Sequence, residues 1–457
     1  LLCVSVFILF GGCSSVVSML YMALICTDSV SEEESPTAVA VVNGTGELLG
    51  SSVGPLIAGV ISDAYGVRYG MLFAGCAMAL LTVIGGFLKK NRKKRKGADQ
   101  KMSIPEKMKA LVAVKAGEYR LETVPVPVPG EEDILIKVEA CGICAGDIKA
   151  SHGTARFWGG DGMPGFCKPP FIPGHEFFGR VVSAGAHAPG GFKPGDRIIS
   201  EQIVPCGSCY YCKRGQYWLC EPHDVYGFKS YLNGGMAEYA ILPKGSINYR
   251  VPEELSLEQA ALIEPMACSL HGVRQGSVQK DDVVVLAGAG TLGLGMVNML
   301  RLMRPRKIIV LDMIDARLEL AKRFGADVTI NPGKENALEA VLAMTDGVGC
   351  DVYIEATGHP AAVQQGLDML HKGGRFVEFS VMSGTSTIDW SIIGDAKELT
   401  IIGSQLSPHC YEPVIEWMQK GELRTDGIVS HVFALEDWKK AYETAQTKQA
   451  LKVIFKM

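Results

Sequence analysis

Four cysteines stand close together in PCGSCYYCKRGQYWLC, with the spacing Cys206-x2-Cys209-x2-Cys212-x7-Cys220. Four thiolates so near along a chain can close a tetrahedron around Zn2+ with no open position, which describes a structural metal site. An iron–sulfur cluster is the other reading, but the proline that often follows bacterial cluster ligands is absent. A second constellation lies upstream, where Cys141-Gly142-Ile143-Cys144-Ala145-Gly146-Asp147 is followed by Gly174-His175-Glu176. A thiolate, an imidazole and a carboxylate leave the fourth position of a zinc ion open for a substrate. Taken singly, these residues have ordinary readings: Cys141 suits a strand position facing a core, and His175 a satisfied interior histidine.

A third chemistry is written in Val283–Gly293, VVVLAGAGTLG. A short apolar run turns at once into Gly288-x-Gly290-x-x-Gly293, and from Leu292 onward the spacing is helical. Gly288 suits the tight turn, Gly290 lets backbone approach a pyrophosphate, and Gly293 lets helix and strand pack closely. A second strand, Lys307–Val310, leads into Leu311-Asp312. Asp312 falls about 20 residues on, where a carboxylate would bond the ribose 2′-hydroxyl of NAD and repel the 2′-phosphate of NADP, with Arg317 close by.

These residues need elements to hold them. From Met108 to about Pro252, short alternating runs such as ALVAV, YRLETVPVPVPG and DILIKVEACGIC, punctuated by Pro and Gly, predict a small β-barrel. From there to about Gln405, strands alternate with amphipathic helices. Ala316–Phe324 is closed by Gly325, Asp351–Ile354 reads as a strand, and Ala361–His371 reads as a helix before Gly373-Gly374. Arg375–Phe379 and Leu399–Ile402 follow as strands. That order predicts a doubly wound parallel sheet. Ile428–Met457 returns to strand, helix, strand and is expected to complete the barrel. The expected fold class is α/β, a barrel catalytic domain (108–255 and 425–457) with a dinucleotide-binding domain (256–424), preceded by an all-α membrane-helix segment.

That last segment carries the excess apolarity of the chain. At 457 residues there is room for about three domains, and the formal net charge of −4 offers no broad basic face for nucleic acid. The mean hydropathy of +0.17 is concentrated before residue 90. Leu1–Cys26, the Gly-rich Pro36–Ser62 and Tyr69–Leu88 are long enough to cross a bilayer. The run Lys89–Lys96 that follows is expected on the cytoplasmic side, and a signal peptide is not expected, since no charged region precedes the first span. The transmembrane part is placed at 1–96 with its basic run, and 97–107 as a polar linker. Fourteen cysteines, grouped in one cluster and in apolar segments, suit metal ligands and buried thiols in a reducing compartment.

From about Met102 to Met457 the chain resembles the zinc-dependent medium-chain alcohol dehydrogenases. CGICAGD, GHEFFG, the four-cysteine lobe, LIEPMACSLHG, GAGTLGLG and EATG stand in that family's order. Glu264-Pro265 is similar to the polyol branch, and ASHGTARFWGG, SEQIVPC, CKRGQY, DVYGFK and DWSII resemble erythritol/L-threitol dehydrogenases. NGTGELLGSSVGPLIAGVISDAYG resembles the penultimate membrane helix of major facilitator transporters, which makes residues 1–88 similar to the last three helices of such a carrier. Three helices of a normally twelve-helix protein cannot enclose a transport path.

The dehydrogenase resemblance implies a GroES-like domain, a Rossmann domain, two zinc ions per chain, NAD, and a homodimer or homotetramer. It implies Cys144 and His175 as ligands of the catalytic zinc, with Glu264 in the place of the family's second cysteine, or Glu176 coordinating directly or by turns. Cys268 is read as a helix-packing cysteine. It implies hydride transfer from a zinc-held secondary hydroxyl of a short polyol to NAD+. The family usually carries Ser or Thr where Gly146 stands, so Lys149 or His152 is the candidate to move the proton instead. The aromatic pair Phe157-Trp158 is expected near the substrate, or else packed beneath its loop. Threonine-, sorbitol- and butanediol-type dehydrogenases use the same scaffold. A membrane transporter with a regulatory nucleotide-binding tail is the reading from another class.

Overall fold

The computed structural model describes residues 54–69, 72, 104–160, 162 and 164–457. The chain divides into two units, Leu1–Lys101 and Met102–Met457.

In the first unit, helix α1 spans Gly54–Tyr65, twelve residues ending at Gly66, whose φ is 96°. Among the described residues no helix is long and apolar enough to cross a membrane. Of the stretch Pro36–Ser62, expected to form a transmembrane helix, residues 54–62 are described and lie in α1, and the rest falls outside the described residues. The span expected over Leu1–Cys26, almost all of the one over Tyr69–Leu88 and the basic run Lys89–Lys96 lie outside the described residues.

The second unit is built on two sheets and a hairpin. The hairpin pairs β1 (Lys107–Lys115) with β2 (Glu118–Pro125). A seven-stranded sheet follows from β3 (Ile134–Gly142), β4 (Glu176–Ala184), β5 (Arg197–Ser200), β6 (Tyr239–Leu242) and β7 (Asn248–Arg250), joined by β14 (Val429–Ala434) and β15 (Lys452–Lys456) from the end of the chain. Its order is β14-β15-β3-β4-β5-β7, with β6 also on β3. The last thirty residues thus return to the first sheet, because β15 supplies the antiparallel partner for the far end of β3.

The second sheet is parallel, in the order β10-β9-β8-β11-β12-β13. Its strands are β8 (Val283–Ala287), β9 (Lys307–Leu311), β10 (Val328–Ile330), β11 (Cys350–Glu355), β12 (Leu370–Glu378) and β13 (Thr400–Gly403). Every residue of β8 is buried, as expected of a strand covered on both faces. Helices α3 (Thr291–Met303), α4 (Asp315–Phe324) and α5 (Pro360–Met369) are crossovers between these strands. The expected helix over Ala361–His371 ends two residues early, and β12 begins at Leu370 and runs through Gly373-Gly374. Pairing with β11, Cys350 against Leu370, overrides the punctuation those glycines suggest. Helix α2 (Ile263–Gln275) precedes β8, is buried along most of its length, and places Glu264 in its first turn. Sequence periodicity alone had not marked it, because a helix buried all round lacks a polar stripe.

Candidate metal centres and dinucleotide cleft

The register of three strands assembles the first metal cluster. Gly142 at the end of β3 faces Glu176 at the start of β4, and one residue earlier Cys141 faces Phe455 on β15. A Cβ at Gly142 would lie 2.2 Å from Glu176 Oε2, so only glycine leaves room for that carboxylate. Lys452 opens β15 beside it and donates to both Glu176 oxygens, at 2.8 and 2.6 Å, and to the carbonyl of Ile143 at 3.1 Å. Burial would lower the Lys452 ammonium, but the Glu176 carboxylate carries it above its ordinary value.

Cys144 precedes a short helix, Ala145–Ser151, whose Asp147 accepts from the Cys144 N–H at 2.9 Å. The other oxygen of Asp147 faces His175 Nδ1 at 3.8 Å; both atoms are buried and without a bonded partner. Burial opposes charge on His175, but Asp147 and then Cys144 raise its pKa well above the ordinary value. Ligand atoms of Cys144, His175 and Glu176 lie within 4.8 Å of one another. The donor set of a thiol, an imidazole and a carboxylate, and the orphaned atoms behind it, fit a zinc ion. Asp147 gave one sequence signal, its place three residues after Cys144; Lys452 gave none.

Glu264 is not among those gathered atoms. It is buried, and burial, followed by the charge of Glu176, pushes its carboxyl up to about 7. It accepts from Cys268 Sγ at 3.4 Å, so Cys268 stands behind Glu264 and does more than pack a helix.

The second cluster joins Cys206, Cys209, Cys212 and Cys220, again with sulfurs within 4.8 Å. Backbone N–H groups of Cys206, Cys209 and Cys212 point at the sulfurs of Cys220, Cys206 and Cys209 at 3.3, 3.3 and 3.5 Å. Such donors favour thiolates, and hydrogen bonds from Ser208 lead in lowering Cys206 to about 6. Four sulfurs with backbone support fit a closed tetrahedral zinc site.

Beside the first cluster stands an aromatic wall. Phe228 stacks on His175 with centroids 5.7 Å apart, and Phe157 stacks on Phe228 at 5.5 Å. Trp158 donates its ring N–H to the Ala150 carbonyl at 2.7 Å and packs on Phe171. The aromatic pair therefore separates: Phe157 faces the cluster and Trp158 braces the loop. A cavity of about 550 Å3 between the β1–β2 hairpin and the 230–233 segment is lined by Phe171 but by none of Cys144, His175, Glu176 and Glu264.

The glycine turn has the geometry its sequence asked for. Gly288 takes φ 104°, and a Cβ there would meet the Ala356 carbonyl oxygen at 2.7 Å. A Cβ at Gly293 would lie 1.9 Å from the Gly288 oxygen, whereas Gly290 faces open space at the N-cap of α3. Leu292 turns its carbonyl to Ser269 Oγ at 2.9 Å. Asp312 accepts from the N–H groups of Ala289 and Ile314, at 2.7 and 2.8 Å, so it shapes the turn. Arg317, expected close to Asp312, donates to the carbonyls of Lys448 and Ala450 at 3.3 and 3.1 Å. Lys149 reaches across to the Val381 carbonyl at 2.9 Å, three residues past β12, and His152 is exposed.

A mixed barrel-type sheet with two metal-competent clusters, joined to a doubly wound sheet with a glycine turn, defines a metal-dependent dehydrogenase that uses a dinucleotide. Residues 130–253 match the alcohol dehydrogenase GroES-like domain and residues 291–420 the zinc-binding dehydrogenase domain. The erythritol/L-threitol dehydrogenase of Mycolicibacterium smegmatis is 45% identical over 353 residues, 77% of this chain and 98% of that protein. The chain belongs to the zinc-type alcohol dehydrogenases. A zinc-binding dehydrogenase structure from Sinorhizobium meliloti, bound to NADP, superposes with a TM-score of 0.71 at 29% identity, covering 77% of this chain and 100% of that one. An alcohol dehydrogenase of Escherichia coli CFT073 complexed with NADH gives 0.69 at 28%, with the same coverages. Residues 1–126 match the Major Facilitator Superfamily model, a match that runs into β1 and β2.

Proposed function

We propose that the enzyme oxidises a secondary hydroxyl of a short vicinal polyol, of erythritol or threitol type, to the ketose, with NAD+ as hydride acceptor. The observation that carries this reading is a pair of buried carboxylates, Glu176 gathered with Cys144 and His175, and Glu264 close enough to feel the charges of Glu176 and His175. A pocket for a simple primary alcohol has no use for a second buried acid, whereas a diol brings a neighbouring hydroxyl that an acid can bind. The likeness to the Mycolicibacterium enzyme supports the same substrate class.

In this reading Cys144, His175 and Glu176 hold the catalytic zinc, with Glu264 in reach of it, and Cys206, Cys209, Cys212 and Cys220 hold the structural one. Zinc supplies a Lewis acid that eases loss of the alcohol proton, and the nicotinamide supplies the hydride acceptor. Asp147 orients the imidazole of His175. Phe157 and Phe228 keep water from the reacting carbon. Lys149, its amine lowered by burial and then by Arg156, is the nearby group to take the proton outward. Gly288, Gly290, Leu292 and Gly293 bind the pyrophosphate, and Asp312 the ribose. Residues 108–255 and 425–457 form the catalytic domain, 256–424 the NAD domain, and the enzyme works as a homodimer or homotetramer in the cytoplasm.

The test compares kcat/KM for erythritol and threitol with that for ethanol and 1-butanol. A site whose buried polar groups need the second hydroxyl should favour the polyols by about 10³ or more. Better turnover of the primary alcohols would remove the polyol assignment.

A further inference from the structure

A buried chain of side chains links Glu264 to the segment that follows β13. Cys268, one helical turn after Glu264 on α2, donates its S–H to Glu264 Oε1 at 3.4 Å. Gln202, just after β5, donates from Nε2 to the Cys268 sulfur at 3.2 Å. Gln202 Oε1 in turn accepts from Ser407 Oγ at 2.8 Å and from Tyr411 OH at 3.2 Å. Gln202, Ser407 and Tyr411 are all buried, so water does not compete for these bonds.

The direction of every bond follows from one end. In its ionised form, the form a metal cation would hold, the Glu264 carboxylate can only accept, so Cys268 donates to it. Its sulfur is then left as an acceptor, which fixes the Gln202 N–H toward it. The amide oxygen must therefore face Ser407 and Tyr411, and both hydroxyls donate to it. Turning the Gln202 amide would set its NH2 group against the Ser407 and Tyr411 hydroxyls and its oxygen against the Cys268 sulfur, which costs more than the bonds themselves contribute.

We propose that Gln202 is a positioning residue, which acts through Cys268 to set the Glu264 carboxylate at the catalytic metal and ties that setting to Ser407 and Tyr411. The proposal rests on the reading of Glu264 as a group in reach of the metal. Three elements distant in sequence meet at Gln202, so the carboxylate is referenced to the dinucleotide-binding sheet as well as to its own helix. Without the chain, Glu264 would be held only by its own rotamer preferences.

The experiment uses the full enzyme with Co2+ exchanged into the Cys144 site and follows the visible absorption of the cobalt, alongside kcat/KM for a four-carbon polyol. Glu264→Gln tests the underlying reading, Gln202→Leu and Cys268→Ala break the chain, and Cys268→Ser keeps a donor and an acceptor in place. The expected result is a shifted cobalt band and a ten- to hundredfold lower kcat/KM in Glu264→Gln, Gln202→Leu and Cys268→Ala, with Cys268→Ser restoring both. Loss of packing alone would move the melting temperature and leave the cobalt band where it was. An unshifted band in Glu264→Gln overturns the reading of Glu264 and the proposal with it. A shift in Glu264→Gln, with none in Gln202→Leu and Cys268→Ala, overturns the proposal and leaves that reading standing. Should Gln202→Leu fail to fold, the Cys268→Ala and Cys268→Ser pair decides alone, and equal behaviour of those two overturns the proposal.

Discussion

Lys452 and Glu176 form a buried ion pair whose two members are 276 residues apart in sequence. Breaking such a pair strands a charge away from water, at a cost of about 3–5 kcal/mol. Lys452→Met should therefore lower the melting temperature markedly, measured by calorimetry, and weaken zinc retention against a chelator. A change within about 0.5 kcal/mol would mean that Glu176 finds another partner. Gly146 predicts the opposite kind of result. A Cβ there would meet only Phe157 Cζ at 3.8 Å and Cys144 Sγ at 3.9 Å, both ordinary contacts. Gly146→Ser should fold with little change in stability and place a hydroxyl beside Cys144. If Lys149 carries the proton in the natural enzyme, the added hydroxyl should make kcat less sensitive to Lys149→Met.

At the scale of elements, the four-cysteine lobe is tied to the barrel through Glu201. Its carboxylate accepts from Tyr217 at 3.0 Å and from Tyr249 of β7 at 2.8 Å. Burial raises its carboxyl to about 7, against the opposing effect of those two bonds. A raised carboxyl means that the folded protein holds a proton the unfolded chain releases near 4.5. The stability from that proton is complete below pH 4.5 and is lost as pH rises to about 7, by about 3 kcal/mol in all. Glu201→Gln should flatten the fall in stability between those pH values, read from denaturant midpoints at fixed intervals. An unchanged slope would place Glu201 in contact with water. Within the lobe, Cys209→Ser should lower stability before it touches chemistry, because a closed zinc site contributes to folding. Cys144→Ser should abolish turnover in a protein that still binds NADH. Metal analysis giving a single zinc per chain would refute the pairing of a structural and a catalytic site.

For the whole molecule, the division after Lys101 falls just before the first residue of the dehydrogenase unit. A protein beginning at Met102 is expected to fold in solution and to retain full kcat/KM. A need for residues 1–101 would place part of the active unit before the division.

Much of this was legible in the linear order of residues. Four cysteines within one short segment, and glycines set between a strand and a helix, are local patterns, and local spacing is enough to dictate their chemistry. The parallel sheet was legible for the same reason, since each strand and crossover helix carries its own period. The sequence could also propose several acids for the first metal cluster. It could not rank them, because their distances are set by strand register and helix placement. Tertiary structure brought Glu176 beside Cys144, set Lys452 against it, tied Glu264 through Cys268 to Gln202, and turned Arg317 toward the carbonyls of Lys448 and Ala450. Each of those outcomes joins residues far apart in the chain, and only burial in a common core gives such pairs a reason to meet.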